Sequence, residues 1–324
     1  MTEAESLISV RELVKHFPLY GGVFSRQVGS VKAVDNVTFD ILQGETLGLV
    51  GESGCGKTTV GRCLLRLIDP TGGKVLYQGK DLAKARGAQL RELRTTMAMV
   101  FQDPASSLNP RMSVANLIGE PIRYYKVARG QELQDRVSDL LEKIGLKPRE
   151  LHRYPHELSG GQKQRVAVAR ALALNPNFVV ADEPVSALDV SIRAGILNLL
   201  KDLQKEFDLT YLFVSHDISV IRYICERIMV MYAGKLVEYA EGDDLFNTPL
   251  HPYTQALLSA VPIPDPTVEK DRIILEGTPP TLINPPTGCR LHPRCTQRSE
   301  HCSETEPPLI EVRKGHFVAC HLNA

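Results

Sequence analysis

The segment Gly51-Glu52-Ser53-Gly54-Cys55-Gly56-Lys57-Thr58 constrains this chain more than any other. It follows ETLGLV, a short apolar run that reads as a buried strand, and it precedes Gly61–Leu67, where the apolar spacing turns helical. A strand, a glycine-rich turn and a helix in that order form a cradle for phosphate. Glycines let backbone N–H groups curl around the anion, and the helix N-terminus adds positive potential. Lys57 reaches the β- and γ-phosphates of a nucleotide, and the Thr58 hydroxyl can ligate Mg²⁺.

The remaining pattern is that of an α/β domain. VKAVDNVTFDI alternates apolar and polar residues, and TGGKVLYQG reads as a hairpin. Residues 84–95 and 131–145 are charged and periodic, as surface helices are, with strand-like MAMVFQ between them. NFVVAD, TYLFVS and RIMVMYAG are further apolar runs separated by helical stretches such as IRAGILNLLKDLQKEF. Strands alternating with helices predict a largely parallel central sheet, and this domain is expected to end near Gly242. From Thr248 to Pro308 prolines are dense, so regular helix is expected only around TQALLSAV, in a small loop-rich appendage.

Composition narrows the function classes. The 324 residues carry 38 basic and 38 acidic side chains, a balance that argues against a dedicated nucleic-acid binder. No apolar run approaches the ~20 residues of a membrane helix, and the acidic opening MTEAESL is unlike a secretory signal. A soluble, intracellular chain is expected.

Two further segments complete a nucleotide chemistry. The run FVVA ends in Asp182-Glu183, which sets two carboxylates at the carboxyl edge of the sheet, where open α/β sheets bind ligands. Asp182 would hold Mg²⁺ through water, and Glu183 would polarise an attacking water. Leu158-Ser159-Gly160-Gly161-Gln162 precedes the helical run KQRVAVARALAL, so Ser159, Gly160, Gly161 and Gln162 stand at a helix start suited to an anion. One chain needs only one such cradle. A second points to a γ-phosphate supplied by another subunit.

With these motifs in this order, residues 7–242 resemble the nucleotide-binding subunits of ATP-binding-cassette (ABC) transporters. The resemblance implies an ABC-type P-loop ATPase domain over residues 1–247. That domain would have a mostly parallel sheet core, an antiparallel β subdomain, and a helical signature subdomain over about 103–175. It further implies ATP contacts from Gly51, Ser53, Gly54, Cys55, Gly56, Lys57, Thr58 and Thr59. Gln102, in VFQDP, matches the glutamine that contacts Mg²⁺ and the catalytic water, and Ser186, Ala187, Leu188 and Asp189 match the loop at the dimer interface. His216 matches the switch histidine on the γ-phosphate. Phe17, in VKHFP, matches the aromatic that stacks on adenine, while residues 18–30 look like an insertion.

The tail, HPYTQALLSAVPIPDP followed by GTPPTLINPPTGCRLHPRC, is similar to the C-terminal extension of dipeptide and oligopeptide importer ATPases, and residues 248–324 are assigned to it. The resemblance implies a second ATPase subunit as partner in a heterodimer and two transmembrane permease subunits. It also implies an extracytoplasmic peptide-binding protein acting indirectly, no nucleic acid, and a peripheral location on the cytoplasmic face of the plasma membrane. Nickel or another small solute is the alternative cargo. A soluble, non-transport ABC ATPase with a metal-sensing tail is the alternative of another class, although such chains usually carry two cassettes or coiled-coil insertions.

Cys55, Cys63 and Cys225 read as ordinary small residues. Cys289, Cys295, Cys302 and Cys320 crowd into the tail with no C-x-x-C knuckle, which argues against an ordinary zinc ribbon. Four thiolates can hold zinc or an iron–sulfur cluster. The family resemblance favours a 4Fe–4S cluster, with His292, His301, His316 and His321 leaving mixed ligation open.

Overall fold

The computed structural model describes residues 6–22, 24–261 and 271–323; the opening MTEAE and most of VPIPDP lie outside them. Strands β1 (Ser6–Gly21) and β2 (Arg26–Leu42) are long neighbours, so the described part of 18–30 prolongs a hairpin. Strand β3 (Thr46–Val50) leads to helix α1 (Lys57–Leu64), followed by β4 (Gly72–Tyr77) and β5 (Lys80–Asp81). Next come α2 (Gly87–Thr96), β6 (Met97–Val100), α3 (Pro104–Ser107), α4 (Val114–Tyr124) and α5 (Gly130–Lys143). The chain continues through α6 (Gly160–Leu172), β7 (Phe178–Asp182), α7 (Val190–Phe207) and β8 (Thr210–Ser215). It then forms α8 (Ile218–Ile224), β9 (Arg227–Tyr232), β10 (Lys235–Glu241), α9 (Gly242–Asn247) and α10 (Pro252–Ser259). A short α11 (His301–Glu304) and strands β11 (Ile310–Arg313) and β12 (His316–Val318) close the described chain.

These elements form two compact units. One comprises Leu42–Glu45 and Lys84–Phe213. In it β7 lies between β8 and β6, and β6 and β7 run parallel with Met97 opposite Phe178 and Val100 opposite Ala181. Strand β7 is buried along its whole length, which explains why FVVAD reads as a continuous apolar run rather than an alternating one. Helix α4 packs on α5 and α6, burying Leu117, Ile118 and Ile122, and Ser113 caps it by accepting the Asn116 N–H. Helix α7 buries Ile196, Leu199, Leu200 and Leu203 and stops at Asp208, whose φ of 51° is left-handed.

The other unit holds the stretches before Leu42, from Thr46 to Ala83 and after Phe213. It contains the strand order β2-β1-β4-β5, with β4 antiparallel to β1 and to β5. It also contains the order β11-β12-β10-β9-β3, in which β3 and β9 are parallel and the other pairs antiparallel. The tail is therefore less loop-rich than its prolines imply: β12 pairs with β10, Glu238 opposite Val318, and β11 pairs with β12. Two strands of four and three residues are too short to register as a pattern in the sequence.

Candidate functional site

The phosphate-loop segment lies in the second unit, threaded between β3 and α1. A Cβ on Gly51 would stand 2.1 Å from the Met231 carbonyl oxygen. Gly56 has φ 112°, and a Cβ there would stand 2.0 Å from the Ala33 carbonyl oxygen. Backbone from β9 and from β2 thus passes so close that no side chain fits at either position. The loop is tied to the β9–β10 turn by the Gly234 N–H, which donates to the Cys55 carbonyl at 2.9 Å. Ser53 and Gly54 are exposed, and Thr58 and Thr59 lie half-buried in the first turn of α1.

Lys57 is buried, and its ammonium donates to the carbonyls of Gly51 at 2.8 Å and Glu52 at 2.9 Å. The cation is thereby folded over the loop. Cys55 is buried, and burial pushes its thiol up, against the pull of the nearby Lys57 charge. Phe17 is partly exposed on β1, with the Lys15 ammonium 4.9 Å from its ring centre. His216 is exposed immediately after β8, and the next residue, Asp217, caps α8 by accepting the Ser219 and Val220 N–H groups.

The first unit brings two of the expected catalytic residues together. Because Val100 and Ala181 are paired in register, the residues that follow β6 and β7 emerge side by side. The Gln102 amide donates to the Glu183 carboxylate at 2.8 Å. Asp182 ends β7 almost fully buried, and Glu183 has a left-handed φ of 48°. That conformation is costly for a side chain of this size and recurs at active sites. The turn after it is closed by the Ser186 N–H and hydroxyl, both donating to the Glu183 carbonyl.

The Leu158–Gln162 segment shows its local role clearly. The Ser159 hydroxyl accepts the Gln162 N–H at 3.3 Å, and the Gln162 side chain accepts the Ser159 N–H at 3.0 Å, a reciprocal cap on α6. Ser159 and Gly160 remain exposed, whereas Gly161 is buried. A Cβ on Gly161 would meet Ile192 Cγ2 at 2.6 Å, so α7 requires a glycine there for packing. Leu188 packs near Gly160, and its carbonyl accepts from Arg193 Nε at 2.7 Å; Ala187 and Asp189 are exposed.

In the tail, burial raises the Cys289 thiol to about 11, countered by the Leu291 N–H, while Cys302, Cys320 and Cys295 raise it further. Cys295 and Cys320 are likewise raised by burial and by their fellow thiols, against the pull of the Gln297 and Leu322 N–H groups. The four cysteines thus lie in one neighbourhood of the tail. The histidines are engaged elsewhere: His292 with the Cys289 carbonyl, His316 with Glu238 at 2.7 Å, and His321 with the Thr305 carbonyl and the His301 ring. Mixed ligation finds no support. Among the described residues no three His, Cys, Asp or Glu side chains converge closely enough to hold a metal ion, so neither zinc nor a 4Fe–4S cluster is shown.

Two residues near the phosphate loop escaped the sequence reading. Tyr253 accepts the Glu52 N–H at 2.8 Å, and Arg294 pairs with the Glu52 carboxylate at 3.2 Å. Both lie in tail motifs, HPYTQ and CRLHPRC, whose sequence carries no signal of what they touch.

Comparison with known proteins agrees with this geometry. Residues 34–186 match the family described as "ABC transporter", and residues 237–302 match "Oligopeptide/dipeptide transporter, C-terminal region". The chain is 50% identical over 321 residues to the oligopeptide transport ATP-binding protein AppF of Bacillus subtilis, covering 98% of each. It is 49% identical to a probable peptide ABC transporter ATP-binding protein of Sinorhizobium fredii, covering 99% of this chain and 91% of the relative. The chain belongs to the ATP-binding subunits of peptide ABC transporters. Among solved structures it is similar to the dimeric ATP-binding cassette MJ0796 bound to ADP and Pi, with TM-score 0.64 and 30% identity over 72% of this chain and 98% of that one. It is also similar to cbiO1 of Clostridium perfringens, part of the cbiONQ transporter, with TM-score 0.65 and 27% identity over 75% and 92%. As an ABC-type ATPase subunit it has an α/β fold with a mixed sheet, and no described helix is long and apolar enough to cross a membrane. The first unit also carries an open groove of about 370 Å³ lined by Met97, Phe101, Tyr124, Tyr125, Arg170 and Leu174, with the Arg91 guanidinium over both tyrosine rings.

Proposed function

We propose that this chain hydrolyses ATP to drive uptake of di- or oligopeptides through separate membrane subunits. The observation that carries the hydrolytic reading is the Gln102–Glu183 pair at the ends of two parallel strands. A carboxylate held by an amide, on a backbone that fixes its direction, is suited to polarise water. The cargo reading is supported by near-50% identity, over almost the whole chain, to subunits named for peptide transport.

In this reading the loop Gly51–Thr58 receives the phosphates, with Thr59 beside it and Phe17 stacking on adenine. Lys57 leaves its resting carbonyls to neutralise charge on the β- and γ-phosphates. Glu183 accepts a proton from the attacking water as its oxygen bonds to the γ-phosphorus and the bond to the β-bridging oxygen breaks, yielding ADP and phosphate. His216 donates to the γ-phosphate. Such transfer needs mainly positioning and charge neutralisation. The donor set suits Mg²⁺: the Thr58 hydroxyl, the buried Asp182 carboxylate, and the Gln102 side-chain oxygen, whose amide nitrogen is occupied by Glu183. Bound there, Mg²⁺ would neutralise phosphate charge.

Ser159, Gly160, Gly161 and Gln162 would complete the site of a second ATPase subunit, with Ser186, Ala187, Leu188 and Asp189 at the interface. The exposed Ser159 and Gly160 support that reading. The groove beside Tyr124 is suited to one of two permease subunits, which would hold the chain on the cytoplasmic face of the membrane. Cys289, Cys295, Cys302 and Cys320 lie in one neighbourhood of the tail, and a 4Fe–4S cluster that drew them together would supply it with folding energy.

Glu183→Gln tests the central assignment in the assembled transporter. ATP binding is expected to persist while turnover falls by roughly two to four orders of magnitude. Near-normal hydrolysis by this variant would refute the role of Glu183.

A further inference from the structure

Every polar group of Glu52, the second residue of the phosphate loop, is engaged. Its carbonyl accepts from Lys57 at 2.9 Å, its N–H donates to the Tyr253 hydroxyl at 2.8 Å, and both carboxylate oxygens stand 3.2 Å from Arg294 Nη1. The same Arg294 nitrogen donates to the Tyr232 hydroxyl at 3.2 Å, and the rings of Tyr232 and Tyr253 lie 4.6 Å apart. These partners are not surface decoration. The Arg294 side chain is 9% exposed and Tyr253 is fully buried.

Neither Tyr253 nor Arg294 belongs to the cassette motifs. Tyr253 stands on α10, and Arg294 lies in the turn between Cys289 and Cys295. A second tie runs parallel to the first. Arg290, from the same turn, donates to the Ala233 carbonyl and pairs with Asp35, while Gly234 next door donates to the Cys55 carbonyl in the loop. Burial raises the Asp35 carboxyl, but Lys235 and Arg290 outweigh it and hold the group below its ordinary range, so this anchor stays charged. The C-terminal segment therefore grips the phosphate loop at its second residue, and through Arg290 it braces the turn whose Gly234 holds the fifth.

A phosphate cradle binds well only if its N–H groups already face inward, because freedom frozen by the fold need not be lost on binding. We infer that Arg294 and Tyr253 are positioning residues of the nucleotide site, holding the phosphate loop through Glu52 in the conformation that receives ATP. The C-terminal segment is then a working part of the ATPase. By linkage, ATP binding stiffens the Cys289–Cys295 turn in return.

The inference rests on the reading that Gly51–Thr58 binds the phosphates, and Lys57→Ala serves as its control. If Lys57→Ala binds Mg·ATP normally, that reading fails; if it loses binding, the tail variants judge this inference alone. In the full-length chain, Arg294→Ala and Tyr253→Phe are each expected to weaken Mg·ATP binding in calorimetry by roughly tenfold, the effect of one part-buried hydrogen bond to a charged or backbone group. In the assembled transporter KM for ATP should rise in proportion, with kcat within about twofold of the parent. Glu52→Gln should match Arg294→Ala, the double variant should be no worse than either, and Arg294→Lys should recover part of the loss. Hydrogen exchange across 289–295 should slow on adding Mg·ATP. Folded Arg294 and Tyr253 variants with unchanged Kd, additive losses from Glu52→Gln and Arg294→Ala, or ATP-independent exchange would overturn the inference. Should Arg294→Ala fail to fold, Arg294→Lys and Glu52→Gln decide it on the same readouts.

Discussion

Gly161→Ala separates packing from chemistry in the Leu158–Gln162 segment. The new Cβ would sit 2.6 Å from Ile192 Cγ2, where carbons in contact prefer about 3.5–4.0 Å, so the start of α6 or α7 must move by roughly an ångström. Overpacking of that kind costs about 1–3 kcal/mol. Gly161 is the second residue of α6, where replacing glycine returns less than the ~1 kcal/mol of a helix interior, so a net loss of about 1–2 kcal/mol is expected. Urea denaturation of the full-length chain, followed by circular dichroism, should show this as a lower midpoint. Ile192 is half-buried and β-branched, so Ile192→Ala removes the offending methyl at a cost of about 1 kcal/mol. The double variant should then lie close to Ile192→Ala alone, an interaction of about 1–2 kcal/mol in favour of the pair. If Gly161→Ala is as stable as the parent, or the two losses simply add, the packing argument is wrong. Activity lost without any loss of stability would assign Gly161 to the anion site instead.

His251 should set part of the pH dependence of stability. Its ring is fully buried, accepts the Tyr253 N–H at 3.1 Å, and has its pKa pushed down by burial to about 4, against the pull of the Glu238 charge. The unfolded chain, with an ordinary histidine near 6.5, then binds the proton that the folded chain refuses. Stability is complete above pH ~6.5 and is lost as the pH falls toward 4, by at most about 3 kcal/mol from this group. His251→Asn keeps an acceptor for the helix start and should flatten the fall in Tm across that range; an unchanged slope would exclude His251 as its source. For the tail, anaerobically purified protein should be brown, with about four irons per chain when fully loaded. Cys295→Ser should bleach it and loosen the tail before the ATPase units. Stoichiometric zinc, or no metal at all, would rule out the cluster.

Sequence reading succeeded where a local shape is written in adjacent residues. The phosphate loop is legible because a strand, a glycine turn and a helix start are set by a few consecutive dihedrals and a local hydrophobic pattern. The Ser159–Gln162 cap is local in the same sense, although the sequence suggested an anion site and the structure adds a helix cap and a packing glycine. Local rules also misled. Helix α4 was not read from the sequence; it carries Pro121 in its interior, and tertiary packing on α5 and α6 sustains it against that breaker. Strands β11 and β12 escaped notice because three or four residues beside prolines carry no periodicity.

By itself, then, the sequence determined the α/β class, the strand, glycine turn and helix that follow one another after Glu45, the carboxylates at a strand end and the family of the chain. Tertiary structure alone decided which remote residues meet. Gln102 reaches Glu183 across 81 positions because β6 and β7 share a register, and that register is chosen by burial of both strands rather than by either segment. Gly51 and Gly56 must be glycines because carbonyls of Met231 and Ala33 pass within about 2 Å of where a Cβ would stand. Arg294 finds Glu52 from 242 residues away only because the tail folds back on the loop. Local conformation is encoded in neighbours along the chain, whereas these contacts arise from buried surfaces that no window of sequence contains.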